Sequence, residues 1–184
     1  MKKYFGVLLS LLITQTACTG GNDPKSRAPT SEQSASKEST SNLSCDIGKK
    51  VLLIKPDAST QEIGTIQAAV DQSTSGDKIF VGPGEWNEIG RLTQKSGIEI
   101  SSSCSPTIKG LNFAKSQNIT IRGLTINAEN SGANGITFGG GSDASQNITL
   151  SQVEVVKANG DYDGVWVGNG NSGINFQKSS FKWV

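Results

Sequence analysis

The chain has 184 residues, 18% of them charged, with 17 Lys and Arg against 16 Asp and Glu and no histidine. That length fits one domain of modest size plus extensions. The near-neutral charge argues against an electrostatic nucleic-acid binder, and the absence of histidine excludes His-based catalytic triads and His-rich zinc centres.

In chain order, Lys2 and Lys3 precede an apolar run, Phe5 to Ile13, broken only by Gly6 and Ser10. The run is too short to span a bilayer and leads into small polar residues, so residues 1–17 are expected to be a secretory signal. The segment ends "TQTAC", which resembles the lipobox of bacterial lipoproteins, with Gln15 where that family usually has Leu. The resemblance implies cleavage before Cys18, a lipid on Cys18, and a membrane-anchored lipoprotein of the bacterial cell envelope. Without Lys2 and Lys3 the chain has 15 basic and 16 acidic residues. From Thr19 to Ser44 the only large apolar residue is Leu43, so this stretch cannot bury enough surface to offset its own ordering. Residues 18–44 therefore read as a lipidated cysteine and a disordered tether. With Cys18 assigned to the lipid, Cys45 and Cys104 remain as an even pair. An oxidising compartment permits a disulfide between them, closing a loop of about 60 residues; two separately buried thiols are the alternative.

Folded structure is expected over 45–184. Val51 to Ile54 suits a short strand, bounded by Lys50 and Pro56. Ile66, Ala69 and Val70 then fall at helical spacing, with Thr65 as N-cap and Gly76 as the break. "KIFVGPGEW" follows as a strand entering a Pro-Gly turn. Beyond it the chain repeats: "SQNITIRGLTI" from Ser116, "SQNITLSQVEV" from Ser145, and weaker copies from Ser96 and Ser172. Equating Ile79, Ile98, Ile119, Ile148 and Ile174 gives spacings of 19, 21, 29 and 26 residues. Spacings of that size indicate stacked supersecondary units, and the three-residue alternation makes each unit a set of very short strands. On that alignment one outward column reads Phe80, Glu99, Thr120, Thr149, Asn175, and the next Gly82, Ser101, Arg122, Ser151, Gln177.

"TIQAAVDQSTSGDKIFVGPGEW" followed by "NITIRGLTI" resembles the entry to right-handed parallel β-helix proteins of the pectate-lyase-like superfamily, over Val51 to Val184. The resemblance implies an all-β fold, a right-handed parallel β-helix solenoid of about five coils with a short N-terminal capping α-helix. "FKWV" supplies no closing cap, so the chain is expected to be the N-terminal part of a longer protein, with an open end that self-associates. The function implied is binding or processing of extracellular polysaccharide, by a lyase or hydrolase if catalytic. A non-catalytic envelope adhesion or assembly module, or an inactive truncated remnant, is the alternative.

Candidate chemistry is sparse. Glu99 and Arg122 lie diagonal to one another and read either as a surface ion pair or as Arg122 holding a substrate carboxylate. Asp161 and Asp163 in "NGDYDGVWV" offer oxygen ligands for Ca2+, a two-carboxylate glycosidase site, or simply a polar turn. "DGVWV" also resembles the "NTDGI" segment of polygalacturonase-like β-helix enzymes, which makes Asp163 a candidate acid; the Gly-His-Gly stretch of that group is missing. Trp86, Trp166 and Trp183 read either as sugar-stacking platforms or as core residues. The expected partners are the membrane, through the lipid, and polysaccharide.

Overall fold

Period-two apolar runs of three to six residues fold as short strands, because each presents one side to a core and one to solvent. The computed structural model describes residues 45–129, 131–156 and 162–182. In chain order the elements are β1 (Val51–Ile54), β2 (Thr60–Ile63), α1 (Ile66–Gln72), β3 (Lys78–Val81), β4 (Glu85–Thr93), β5 (Glu99–Ser101), β6 (Thr107–Ala114) and β7 (Gln117–Arg122). They continue as β8 (Thr125–Asn127), β9 (Ile136–Phe138), β10 (Gln146–Ser151), β11 (Glu154–Val156), β12 (Val165–Val167), β13 (Ser172–Gln177) and β14 (Ser180–Lys182).

These strands form two sheets. The first runs β13-β10-β7-β5-β3-β1-β2; β3 to β13 are parallel, whereas β1 is antiparallel to both β2 and β3. The second runs β12-β9-β6-β8-β11-β14, with β4 also paired to β6, and all its pairings are parallel. Its curl starts at β6, which pairs through Thr107 and Ile108 with β8 but through Leu111 to Phe113 with β9. A register shift between Trp86 and Ile89 of β4 lies at the same place.

The expected all-β right-handed parallel β-helix is corrected by this arrangement. The chain is a mixed α/β structure of two sheets and one α-helix among the described residues, one sheet mixed and the other curled and parallel. The physical reason is that alternation encodes which side chains turn inward, not which strand lies alongside or in which direction. Residues 51–63 form an antiparallel hairpin whose first strand closes the edge of β3, and the apolar pattern of β1 suits that as well as a parallel coil.

The expected strand alignment is also corrected. Ile79 pairs with Ile100, not Ile98, and the inward column continues through Ile121, Leu150 and Phe176. Ile119, Ile148 and Ile174 form the neighbouring column, and Asp77 falls beside Ile98 at its head. A slip of two residues keeps every side chain on its own face, so periodicity could not detect it. The outward columns become Lys78, Glu99, Thr120, Thr149, Asn175 and Phe80, Ser101, Arg122, Ser151, Gln177.

Between the sheets the core is aliphatic with an aromatic seam. The Phe113 and Phe138 rings stack with centroids 4.8 Å apart; Phe176 meets Phe138 edge-on at 6.5 Å and Phe181 at 5.5 Å. At the turns into β7 and β10, Asn118 and Asn147 occupy left-handed backbone at φ 53° and 52°, a conformation that Asn tolerates better than most residues. Asn147 Nδ2 donates to Asn118 Oδ1 at 3.2 Å, so the two corners are joined.

α1 covers one end of this core with Ile66, Ala69 and Val70. The Thr65 hydroxyl accepts from the Ala68 N–H at 3.0 Å and caps the helix start. Lys95 Nζ donates to the Asp71 and Ser73 carbonyls at 2.9 and 3.1 Å, satisfying acceptors at the other end.

Candidate functional site

The residues singled out from the sequence do not converge. Glu99 takes Lys78 as its ion partner at 3.6 Å, and no Glu99–Arg122 ion pair occurs among the described residues. Arg122 lies between Ser101 and Ser151 on the outward face of the first sheet. Asp163 is exposed and donates its backbone N–H to Asn134 Oδ1 at 2.8 Å, a loop contact. Cys18, Asp161 and Trp183 lie outside the described residues. Among the described residues no group of three or more metal-ligating side chains comes together, and no helix is long and apolar enough to cross a membrane. Cys45 and Cys104 are joined in a disulfide with Cα atoms 5.5 Å apart.

The three tryptophans part company. Trp86 is only 6% exposed, its indole N–H donates to the Gly82 carbonyl at 3.1 Å, and Lys49 Nζ sits 5.2 Å from its ring centroid. Its polar edge is satisfied internally, so it is a packing residue. Trp166 on β12 is 41% exposed. Its Cη2 lies 2.9 Å from where a Cβ on Gly168 would stand. Glycine there leaves the floor under the ring, and the indole presents apolar area to solvent.

Trp166 ends an outward column that crosses four hydrogen-bonded strands. Arg91 pairs with Asn112, Asn112 with Thr137, and Thr137 with Trp166. The chain neighbours Leu92, Leu111, Phe113, Ile136 and Phe138 are buried, so period two turns Arg91, Asn112 and Thr137 outward, and Trp166 continues the line as an exposed residue. At about 4.8 Å per strand the column is about 14 Å long. Within the column, Asn112 Oδ1 is buried without a hydrogen-bond partner among the described residues.

Two depressions adjoin the Arg91 end of the column. One, of about 340 Å3, is lined by Gln67, Asn87, Glu88, Ile89, Arg91, Lys109 and Ser131. The other, of about 250 Å3, lies among Glu85, Trp86, Asn87, Thr107, Ile108, Lys109, Asn127 and Glu129. They share Asn87 and Lys109 and sit where β4 shifts register. Gln67 fixes one wall: its side chain accepts from the Arg91 N–H at 2.8 Å and donates to the Arg91 carbonyl at 3.2 Å. Glu88 Oε2 accepts the Gln67 backbone N–H at 3.1 Å.

This face escaped the sequence reading because its outward residues have no periodicity of their own. The usable signal was the set of triplets "LNF", "ITF" and "VWV" at 111–113, 136–138 and 165–167, which align Asn112, Thr137 and Trp166. No family model matches the chain, and no match was found among curated proteins or solved structures. The pectate-lyase-like resemblance is corrected by the sheets themselves, one mixed and the other curled and parallel.

Proposed function

We propose that this chain is an exported, lipid-anchored envelope domain that binds polysaccharide along the outer face of its second sheet. The observation that carries the reading is the column Arg91, Asn112, Thr137 and Trp166, a line of polar side chains ending on an exposed indole. A sugar polymer offers hydroxyls to the polar groups and apolar ring faces to the indole, and a 14 Å row of such groups meets an extended chain better than a compact ligand. The Cys45–Cys104 disulfide supports an extracytoplasmic setting, where such bonds persist.

Calorimetric titration of the full-length chain with a panel of polysaccharides tests this. Trp166→Ala is expected to weaken binding at least tenfold while leaving the melting temperature nearly unchanged, because the ring is on the surface. An unchanged affinity would sink the reading; release of shortened or unsaturated sugars would replace binding with processing.

A second reading, assembly between copies, is favoured by the exposure of Val167 and Phe181 on strands that end the second sheet. Sedimentation separates the two. Concentration-dependent oligomers without any polysaccharide binding would make assembly the function.

A further inference from the structure

The larger depression is enclosed by two cations and one carboxylate: Arg91, Lys109 and Glu88. Glu88 is engaged, since its Oε2 accepts the Gln67 N–H at 3.1 Å. Neither the Arg91 guanidinium nor the Lys109 ammonium forms an ion pair among the described residues. Elsewhere on the surface, lysines find carboxylates: Lys50 reaches Glu62 at 2.8 Å, Lys115 reaches Asp143 at 3.3 Å, and Lys182 reaches Glu154. Other cations, Arg122 and Lys178 among them, also form no ion pair among the described residues; what sets this place apart is that two such cations line one concavity.

The backbone around the depression is held firmly. Gln67 ties α1 to Arg91 through two hydrogen bonds, and Lys109 sits in β6 between the residues that pair with β4 on either side of its register shift. Asn87 and Ser131 add a carboxamide and a hydroxyl to the lining. A planar guanidinium beside a mobile ammonium, with neutral hydrogen-bonding groups around them, suits a compact oxyanion: Arg gives two parallel N–H donors and Lys a point charge. Within this lining the two cations face one carboxylate, while Glu85 and Glu129 lie with Lys109 in the adjoining depression.

We infer that this depression is an anion-binding site, taking a carboxylate, sulfate or phosphate group carried on the polysaccharide. The identity of the carrier rests on the proposed polysaccharide reading; the anion site itself does not. The site would then set which polymers bind, because Arg91 both begins the outward column and lines the depression.

The test uses the full-length chain with four probes: inorganic sulfate, glucuronate, and a neutral and a carboxylated polymer of matched backbone. Sulfate and glucuronate are expected to bind in the millimolar range and to weaken with added chloride. Arg91→Gln and Lys109→Gln should each weaken glucuronate at least tenfold, whereas Lys178→Gln, directly after β13 at the edge of the first sheet, should leave it within twofold. Lys109→Gln should also abolish the preference for the carboxylated polymer without reducing affinity for the neutral one. If the Arg91→Gln/Lys109→Gln double variant binds the anions unaltered, or Lys178→Gln weakens them equally, the site is overturned. If these variants lose the anions but neither polymer binds the full-length chain, the anion site stands and the polysaccharide reading falls.

Discussion

Asp77 stands beside Ile98, at the head of an inward column that Ile119, Ile148 and Ile174 continue, and its side chain is 1% exposed. Its Oδ2 accepts from Lys55 Nζ at 2.7 Å, the Thr74 N–H at 2.8 Å and the Thr74 hydroxyl at 3.1 Å. Oδ1 is buried without a hydrogen-bond partner among the described residues. Burial pushes this carboxyl upward; the Lys55 ammonium and the Thr74 donors together outweigh it and hold the group below its ordinary value of 3.8. A depressed folded value contributes stability above the unfolded value, about 3.9, and that stability is lost as pH falls through the folded value. Asp77→Asn should therefore cost about 2 kcal/mol near pH 7. The cost should shrink once pH drops below about 4, where the unfolded chain's carboxyl takes up a proton, and shrink further as pH falls through the lower folded value. Urea unfolding at pH 7, 4 and 3 measures this; a cost that stays constant with pH would mean that packing, not charge, makes Asp77 matter.

At the scale of the element, Gln67 shows how a seven-residue helix is attached to a sheet. Its carboxamide bonds both the N–H and the carbonyl of Arg91, the two groups that a neighbouring strand would take from β4. Gln67→Ala releases both into partial solvent, so about 1 kcal/mol of stability should go. Amide exchange at Arg91 should quicken more than at Leu92, whose surroundings stay packed; equal exchange in the two proteins would show that water replaces the carboxamide without loss. α1 itself was legible in the sequence, because Thr65 and the Ile66, Ala69, Val70 stripe carry a cap and a buried face in the letters. β7 and β10 were legible for a similar reason: their copied "SQNIT" segments do lie side by side, Ile119 against Ile148. What the letters did not carry was relational. The direction of β1 depends on which strand edge its hairpin closes, and the offset of β3 was hidden by an aspartate standing where the pattern calls for isoleucine. The candidate face was less legible still. Arg91 and Lys109 are ordinary solvent-side residues until the register shift in β4 brings them around one depression.

For the whole molecule, the Cys45–Cys104 bond decides how the two halves of the domain open. The bridge spans 59 residues and encloses β1, β2, α1, β3, β4 and β5, whereas β7, β10 and β13 lie outside it. In the chain-entropy model a loop of that size stabilises by about 4 kcal/mol through the unfolded state, which would weaken every element alike when the bond is removed. The fold adds a local term. β1 is the antiparallel link between β2 and β3. Fastening Cys45 to the turn after β5 holds the approach to β1 against a strand two places further into the first sheet. Without the bond, residues 45–63 gain a route to peel from β3 that leaves the parallel strands intact. Cys45→Ser/Cys104→Ser should therefore lower global stability by up to about 4 kcal/mol. Hydrogen exchange in β1 and β2 should also accelerate by a larger factor than in β7 and β10. A uniform acceleration across all four strands would leave only the entropic term, and the bond would then be a staple on the unfolded chain and not a clasp on the hairpin.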